Sequence, residues 1–425
     1  MTEALPLLAT STLSSDPSAQ GFQAIVAPYM SIFFIAFFVS FVLTPLMRIL
    51  AVRNGIVDWP DLHRKNHREP VAYLGGVAIF IGWISGISAC FLITSHLNDN
   101  ETILFPISII VGAAVITLTG LFDDIYSISP RVKIGGQFFA AAALAWQDVG
   151  PQLVQNSLRV LDISPPPMLV YVIGTAVIAL FVVGGCNALN LLDGLDGLAA
   201  GVSAIACIGF LTIAVMTAID FQTDSTARQF FTSDPVRLIM CLAILGSLLG
   251  FLPYNFNPAS IFMGDAGSLL IGYLCISTIL LFSQTGGRAL LLVTACLIVF
   301  ALPITDTSLA IFRRKMRGKS LFSPDNEHLH HLLRRTGMSV RISVLVMYAM
   351  AMLFAILGVT LVALELRWRY VLAVFFILYG FILVTAFKYS RHIALNENMR
   401  CEQAASETVG IDDERSNNGS DLNSP

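Results

Sequence analysis

Apolar residues run through this chain in blocks of about twenty, the length a helix needs to cross the hydrocarbon core of a bilayer. The blocks lie near 29–50, 73–95, 103–121, 134–147, 168–186, 198–219, 236–254, 267–283, 289–312, 341–364 and 370–387. Eleven helical spans are therefore expected. The fourth is short, and Pro303 and Asp306 interrupt the ninth, where a break or cavity-facing turn is predicted. Residues 1–27 hold no Lys or Arg and carry a Ser/Thr-rich patch from Thr10 to Ser18, so the basic start of a cleavable signal is missing. The stretch after Asn396 is polar and acidic and is expected to be disordered. Three parts follow: a polar tail over 1–27, a transmembrane domain over 28–388 and a disordered tail over 389–425. No internal repeat of the kind common in secondary transporters is visible.

Composition sharpens this picture. With 425 residues, 56% of them hydrophobic and 12% charged, and a mean hydropathy of +0.75, the chain is too apolar for a soluble globule. It reads as an all-α polytopic membrane protein. A formal charge of -3 argues against a nucleic-acid surface, which needs a clustered excess of Lys and Arg. The seven cysteines are scattered, mostly inside apolar runs, and read as packing residues. When the loops are numbered alternately, nineteen of the twenty-five Lys and Arg fall on one side, which the positive-inside rule makes cytoplasmic. The N-terminus is then outside and the C-terminus in the cytoplasm.

Five polar stretches share that cytoplasmic side. The densest is Asn187-Ala-Leu-Asn190-Leu-Leu-Asp193-Gly-Leu-Asp196-Gly197, two amides and two carboxylates directly after an apolar run. Intramembrane carboxylates cost about 2.5–3.5 kcal/mol on insertion scales, so these groups need partners, water or a metal at the membrane boundary. Gly194 and Gly197 loosen the helix there. Asp123 and Asp124 close the third span, with Lys133 nine residues past Asp124. Adjacent carboxylates can yield a base or hold a divalent cation, or form a solvated turn capping the fourth helix.

Phe262-Met-Gly-Asp265-Ala-Gly-Ser268 follows the Asn255 loop and opens the eighth span. Asp265 suits a helix N-terminus as a cap, and its flanking glycines would also admit a phosphate or metal. Three of the seven histidines fall in Ser323-Pro-Asp-Asn-Glu-His328-Leu-His330-His331, where Ser323 as cap and Pro324 at the first position outline a short helix with His328 and His331 on one face. With no cysteine near and Arg334 and Arg335 adjacent, an anionic ligand fits better than zinc; a basic helix resting on anionic lipid is the structural reading. The loop Asp58–Pro70, with Lys65, is basic and suits a lipid phosphate or diphosphate.

Taken in order, D-D-x8-K, N-x-x-N-x-x-D-G-x-D-G, G-D-A-G-S and H-x-H-H resemble the polyprenyl-phosphate N-acetylhexosamine-1-phosphate transferases. The resemblance runs from about Thr44 to Gly337 and on through the last two spans. The form Ser-Pro-Asp-x-x-His-x-His-His resembles the WecA-type bacterial branch, which loads N-acetylglucosamine phosphate onto undecaprenyl phosphate. Leu329 breaks the three-histidine run usual in the phospho-MurNAc-pentapeptide branch, which ranks second.

The resemblance implies a magnesium-dependent reaction, with manganese as a substitute, at the cytoplasmic face of the bacterial inner membrane. Asp265 would hold the metal with Asn190. Asp123, Asp124 and Asp193 would be catalytic, Asp123 orienting or deprotonating the lipid phosphate. Lys65, Lys133, Asn187, Asn190, Asp196, Asn255, Phe262, His328, His330 and His331 would bind substrate, with Asp193 and Asp196 shaping the nucleotide end. Undecaprenyl phosphate, a UDP-N-acetylhexosamine, the lipid bilayer and a second copy of the chain are the implied partners. The rival class is an ion-coupled transporter, which needs polar residues at several depths rather than crowded at one interface.

Overall fold

The computed structural model describes residues 25–58, 70–97, 105–148, 151–160, 163–223, 234–318, 320, 328–382, 384 and 388. Lys65, Ser323, Pro324, most of the polar N-terminal stretch and the acidic C-terminal stretch lie outside them. The chain divides into two compact units, Met1–Thr307 with Asn326–Leu372, and Ser308–Asp325 with Ala373–Pro425. The site belongs to the first. Described residues of the second include the end of the helix Ala301–Met316, where Arg313, Arg314 and Lys315 occupy the last turn.

In chain order the helices are α1 (Met30–Arg53), α2 (Gly75–Leu97), α3 (Ile107–Tyr126), α4 (Pro130–Trp146), α5 (Pro151–Val160), α6 (Pro167–Leu192) and α7 (Leu198–Thr223). They continue as α8 (Asp234–Asn255), α9 (Gly264–Leu281), α10 (Ala289–Val299), α11 (Ala301–Met316), α12 (Leu329–Arg335) and α13 (Val340–Ala363). Between α1 and α2 a two-stranded antiparallel pair, β1 (Val57–Asp58) and β2 (Val71–Ala72), sets Val57 opposite Ala72. Prolines open α4, α5 and α6, where a missing N–H costs nothing.

Seven helices among the described residues are long and apolar enough to cross a membrane, and eight if the bent pair α10 and α11 counts as one crossing. The remaining expected spans coincide with α2, α4 and the apolar helix Trp368–Ile382. The break in the ninth apolar block falls at Phe300 rather than at Pro303 or Asp306, with a bend of 73°. Pro303 sits in the first turn of α11, where it leaves the hydrogen-bond ladder intact, and Asp306 stays helical.

The bundle is built around α9. Apart from Asp265, every one of its residues is buried, and it packs against α2, α3 and α6. A helix apolar on all sides belongs in the middle of such a bundle. By contrast, α1 turns Phe34, Phe38, Val42 and Ile49 outward, the surface hydrocarbon tails require. Gly120 permits a close approach: a Cβ there would collide with the backbone of Asp265 and Ala266. Small residues bring helices together in membranes, and here one seats the end of α3 on the start of α9. The six described cysteines are buried and none forms a disulfide among the described residues.

Candidate active site

One turn beyond Gly120, Asp123 and Asp124 point at the start of α9. Asp124 accepts the backbone N–H groups of Asp265 at 2.8 Å and Ala266 at 3.1 Å. These are N–H groups with no partner inside the helix, so Asp124 caps α9 from a residue 141 positions away. Gly264, at φ +66°, makes the left-handed turn into this arrangement. The expectation that Asp265 is itself the cap is corrected: Asp265 makes no such bond and is released for other work. Likewise Asp123 and Asp124 close a helix rather than form a turn, and their roles diverge.

The side chain of Lys133 on α4 reaches into the space between three elements. Its Nζ donates to Asp123 Oδ2 at 3.1 Å, to Asn190 Oδ1 at 3.4 Å and to Asp265 Oδ2. Asn190 donates from Nδ2 to Asp265 Oδ1 at 2.6 Å and to Ser268 Oγ at 3.0 Å. α3, α4, α6 and α9 thus each contribute to one cluster in which oxygen atoms surround a cation. No group of three or more His, Cys, Asp or Glu is set to hold a metal among the described residues. The donor set nevertheless fits magnesium, which uses one or two carboxylates and completes its shell with water and substrate phosphates.

Beside this cluster opens a cavity of about 300 Å³. Asn190, Asp193, Asp196, Phe262, Asp265 and His331 line it, as do Asp58 and Tyr73. α6 ends at Leu192 and α7 starts at Leu198, so Asp193 and Gly194 form the expected loosened turn. Asp193 differs from the other carboxylates here. Among the described residues its side chain has no hydrogen-bond partner, and burial, followed by repulsion from Asp265, Asp124 and Asp196, pushes its pKa up to about 8.

Other expected ligands are engaged in holding the site together. Asp196 accepts Asn257 Nδ2 at 2.8 Å and the N–H of Ala259 at 3.0 Å, tying down the loop before α9. Asn255 accepts the N–H of Gly197 at 3.1 Å and donates to the carbonyl of Ile261 at 3.0 Å. Asn187 donates to Gln137 Oε1 at 2.9 Å, bracing α6 against α4. Phe262 is held by main-chain bonds, its N–H to Ala72 at 2.8 Å and its carbonyl to Gly75 at 3.0 Å, with its ring beside that of Tyr73.

The three histidines cluster at the start of α12, which begins at Leu329; the expected cap at Ser323 and Pro324 lies outside the described residues. His328 is extended and immediately precedes α12, because Asp306 accepts the N–H of Leu329 at 2.8 Å and meets His328 Nδ1 at 2.9 Å. His330 is buried against Gly194, with neither ring nitrogen hydrogen-bonded among the described residues. Burial, reinforced by His331, holds its pKa down to about 3, so the ring is neutral. Only His331 of the three lines the cavity. Sequence reasoning missed Asp306, read there only as a helix interruption, and also Asp58 and Tyr73, whose hydroxyl burial and Asp58 both push up in pKa. The available signal was that Asp58 opens the basic loop and Tyr73 follows it closely.

Fold and site together define a polytopic helical membrane protein with an oxygen-rich, lysine-centred polar site at one end of its helices. Residues 106–283 match the family described as glycosyl transferase family 4. The chain is 37% identical over 336 residues, 77% of its length and 84% of the relative's, to a probable undecaprenyl-phosphate N-acetylglucosaminyl 1-phosphate transferase of Bacillus subtilis. It is 33% identical over 328 residues to the decaprenyl-phosphate N-acetylglucosaminephosphotransferase of Mycolicibacterium smegmatis, covering 73% of this chain and 76% of that one. It is also 30% identical over 354 residues to the undecaprenyl-phosphate alpha-N-acetylglucosaminyl 1-phosphate transferase of Escherichia coli K12, covering 81% and 88%. The chain belongs to glycosyl transferase family 4.

Proposed function

We propose that this enzyme transfers N-acetylglucosamine 1-phosphate from UDP-N-acetylglucosamine to undecaprenyl phosphate, releasing UMP and starting a cell-envelope polysaccharide. The observation that carries this reading is the Lys133 cluster opening onto a cavity whose unpartnered carboxylate is Asp193. An oxygen of the lipid phosphate bonds to the phosphorus next to the sugar, and the bond from that phosphorus to the UMP oxygen breaks. Such a transfer asks mainly for positioning and charge neutralisation.

In this reading Lys133 offsets phosphate charge, Asp123 orients the incoming lipid phosphate, and His331 and Phe262 face the sugar and nucleotide. Asp265 and Asn190, the latter anchored by Ser268, are the residues that would hold magnesium, with Asp123 beside them. Bound there, magnesium would draw charge from the phosphate oxygens. Asp124, Asp196, Asn255 and Asp306 keep these groups in register.

The sidedness of the Lys and Arg residues supports a multi-pass protein of the bacterial cytoplasmic membrane with the site facing the cytoplasm. Counting α2, α4 and Trp368–Ile382 as crossings gives eleven spans, which agrees with opposite sides for the two termini. Purified protein given undecaprenyl phosphate should release UMP from UDP-N-acetylglucosamine and not from UDP-MurNAc-pentapeptide. Faster turnover of the pentapeptide substrate would overturn the choice of sugar, and no UMP from either would overturn the reaction.

A further inference from the structure

A second cavity lies at the far end of the bundle. α9 starts beside the carboxylates and runs 18 residues, and α13 starts at Val340 on the wall of the first cavity and runs 24. At 1.5 Å per residue these are about 27 Å and about 36 Å, so the segments that follow them lie at the opposite membrane surface. There, Arg288 just before α10 and Leu291 within it line a cavity of about 810 Å³ together with Glu365 and Arg367 from the turn after α13 and Trp368 and Arg369 from the start of the next helix.

The charge of this cavity needs an explanation. The guanidinium groups of Arg367 and Arg369 line it together, beside Arg288 and Glu365. Arg367 and Arg369 are exposed and make no ion pair among the described residues; Arg369 lies 5.9 Å from the ring of its neighbour Tyr370. Only six Lys and Arg in the chain fall outside the basic loops, and half of them converge here. Like charges on one wall repel unless an anion sits between them. Arginine presents a planar fork suited to phosphate oxygens, and Trp368 is the residue type that settles at headgroup depth.

We propose that this cavity binds the phosphate of an anionic phospholipid in the leaflet opposite the active site. Arg367 and Arg369 neutralise the phosphate, and Trp368 lies along the glycerol region. The proposal rests on the chain crossing a bilayer and not on the transferase reading, since none of these residues touches the catalytic cluster.

The test compares wild type with Arg367→Gln/Arg369→Gln and Arg367→Lys/Arg369→Lys, each shown to be folded by monodisperse elution. Native mass spectrometry reads retained lipid, and the thermal midpoint is followed with added phosphatidylglycerol, phosphatidylcholine or inorganic phosphate. Wild type should retain phosphatidylglycerol over phosphatidylcholine. The glutamine variant should lose roughly thirtyfold in that preference, the effect of two cations near a membrane surface, and the lysine variant should keep most of it. Equal retention of both lipids, a glutamine variant unchanged from wild type, or a lysine variant as impaired as the glutamine one would overturn the proposal. A midpoint raised as much by inorganic phosphate as by phosphatidylglycerol would overturn it too, making the ligand a free anion.

Discussion

Asp124 caps the helix that presents Asp265: its carboxylate takes the N–H of Asp265 at 2.8 Å, while the Asp265 side chain turns the other way, to Lys133 and Asn190. Two carboxylates at one helix start therefore do separate jobs. Replacing Asp124 by Ala should lower the thermal midpoint as well as turnover, since loss of a helix cap costs about 0.5–2 kcal/mol. Asp265→Asn keeps the shape and should leave the midpoint nearly unchanged while turnover falls by orders of magnitude. Parallel melting curves and UMP-release rates for the two variants check this; equal melting losses would show that the roles are not divided.

Lys133 lies at the centre of the cluster, so its removal leaves Asp123 and Asp265 facing one another without a fixed cation. Lys133→Met should reduce turnover by roughly 100- to 1,000-fold, the usual cost of losing one preorganised electrostatic group. Steady-state rates across a magnesium series check it. Recovery of full rate at high magnesium would mean that the lysine is only a charge balance.

Burial holds the Asp193 carboxyl well above the usual carboxylate range, up to about 8. The folded, metal-free protein thus binds the extra proton across that window. Its stability from this group is greatest below pH 4 and is lost as pH rises towards 8. Asp193→Asn should remove that slope, so the variant gains on wild type between pH 5 and 8 in chelator. Midpoints that run parallel over this range would place the Asp193 carboxylate in a more solvated setting.

His330 titrates with the opposite sign. With a folded pKa held down to about 3 and an ordinary imidazole value of about 6.5, the unfolded chain holds the extra proton between them, and stability falls as pH drops through that interval. His330→Gln should melt with a flatter dependence from pH 6.5 to 4, and it should slow the reaction by displacing Gly194 and His331 without unfolding the protein. Melting curves and UMP release on the same preparation test both parts.

Orientation is checked at Thr336, exposed just after α12. In a cysteine-free background, Thr336→Cys should resist an impermeant thiol reagent in intact cells and react in inverted vesicles. The reverse pattern would put the site on the outer face.

How much of this was legible in the sequence follows from how far each interaction reaches. Helices, their ends at Leu192 and Pro130, and the crowding of polar motifs at one membrane surface depend on local apolar runs, prolines and glycines, which any reading along the chain detects. Division of labour among the carboxylates does not. Asp124 and Asp265 are 141 residues apart, and Asp306 and His328 are 22 apart, so only packing could show that one member of each pair supports the other. Nor could hydropathy tell that α9 is central while α1 faces lipid, because lipid and protein interior are equally apolar to a sequence. That choice was made by Gly120, whose missing side chain lets α3 settle onto α9, and it carries Asp123, Asp124 and Asp265 to one place.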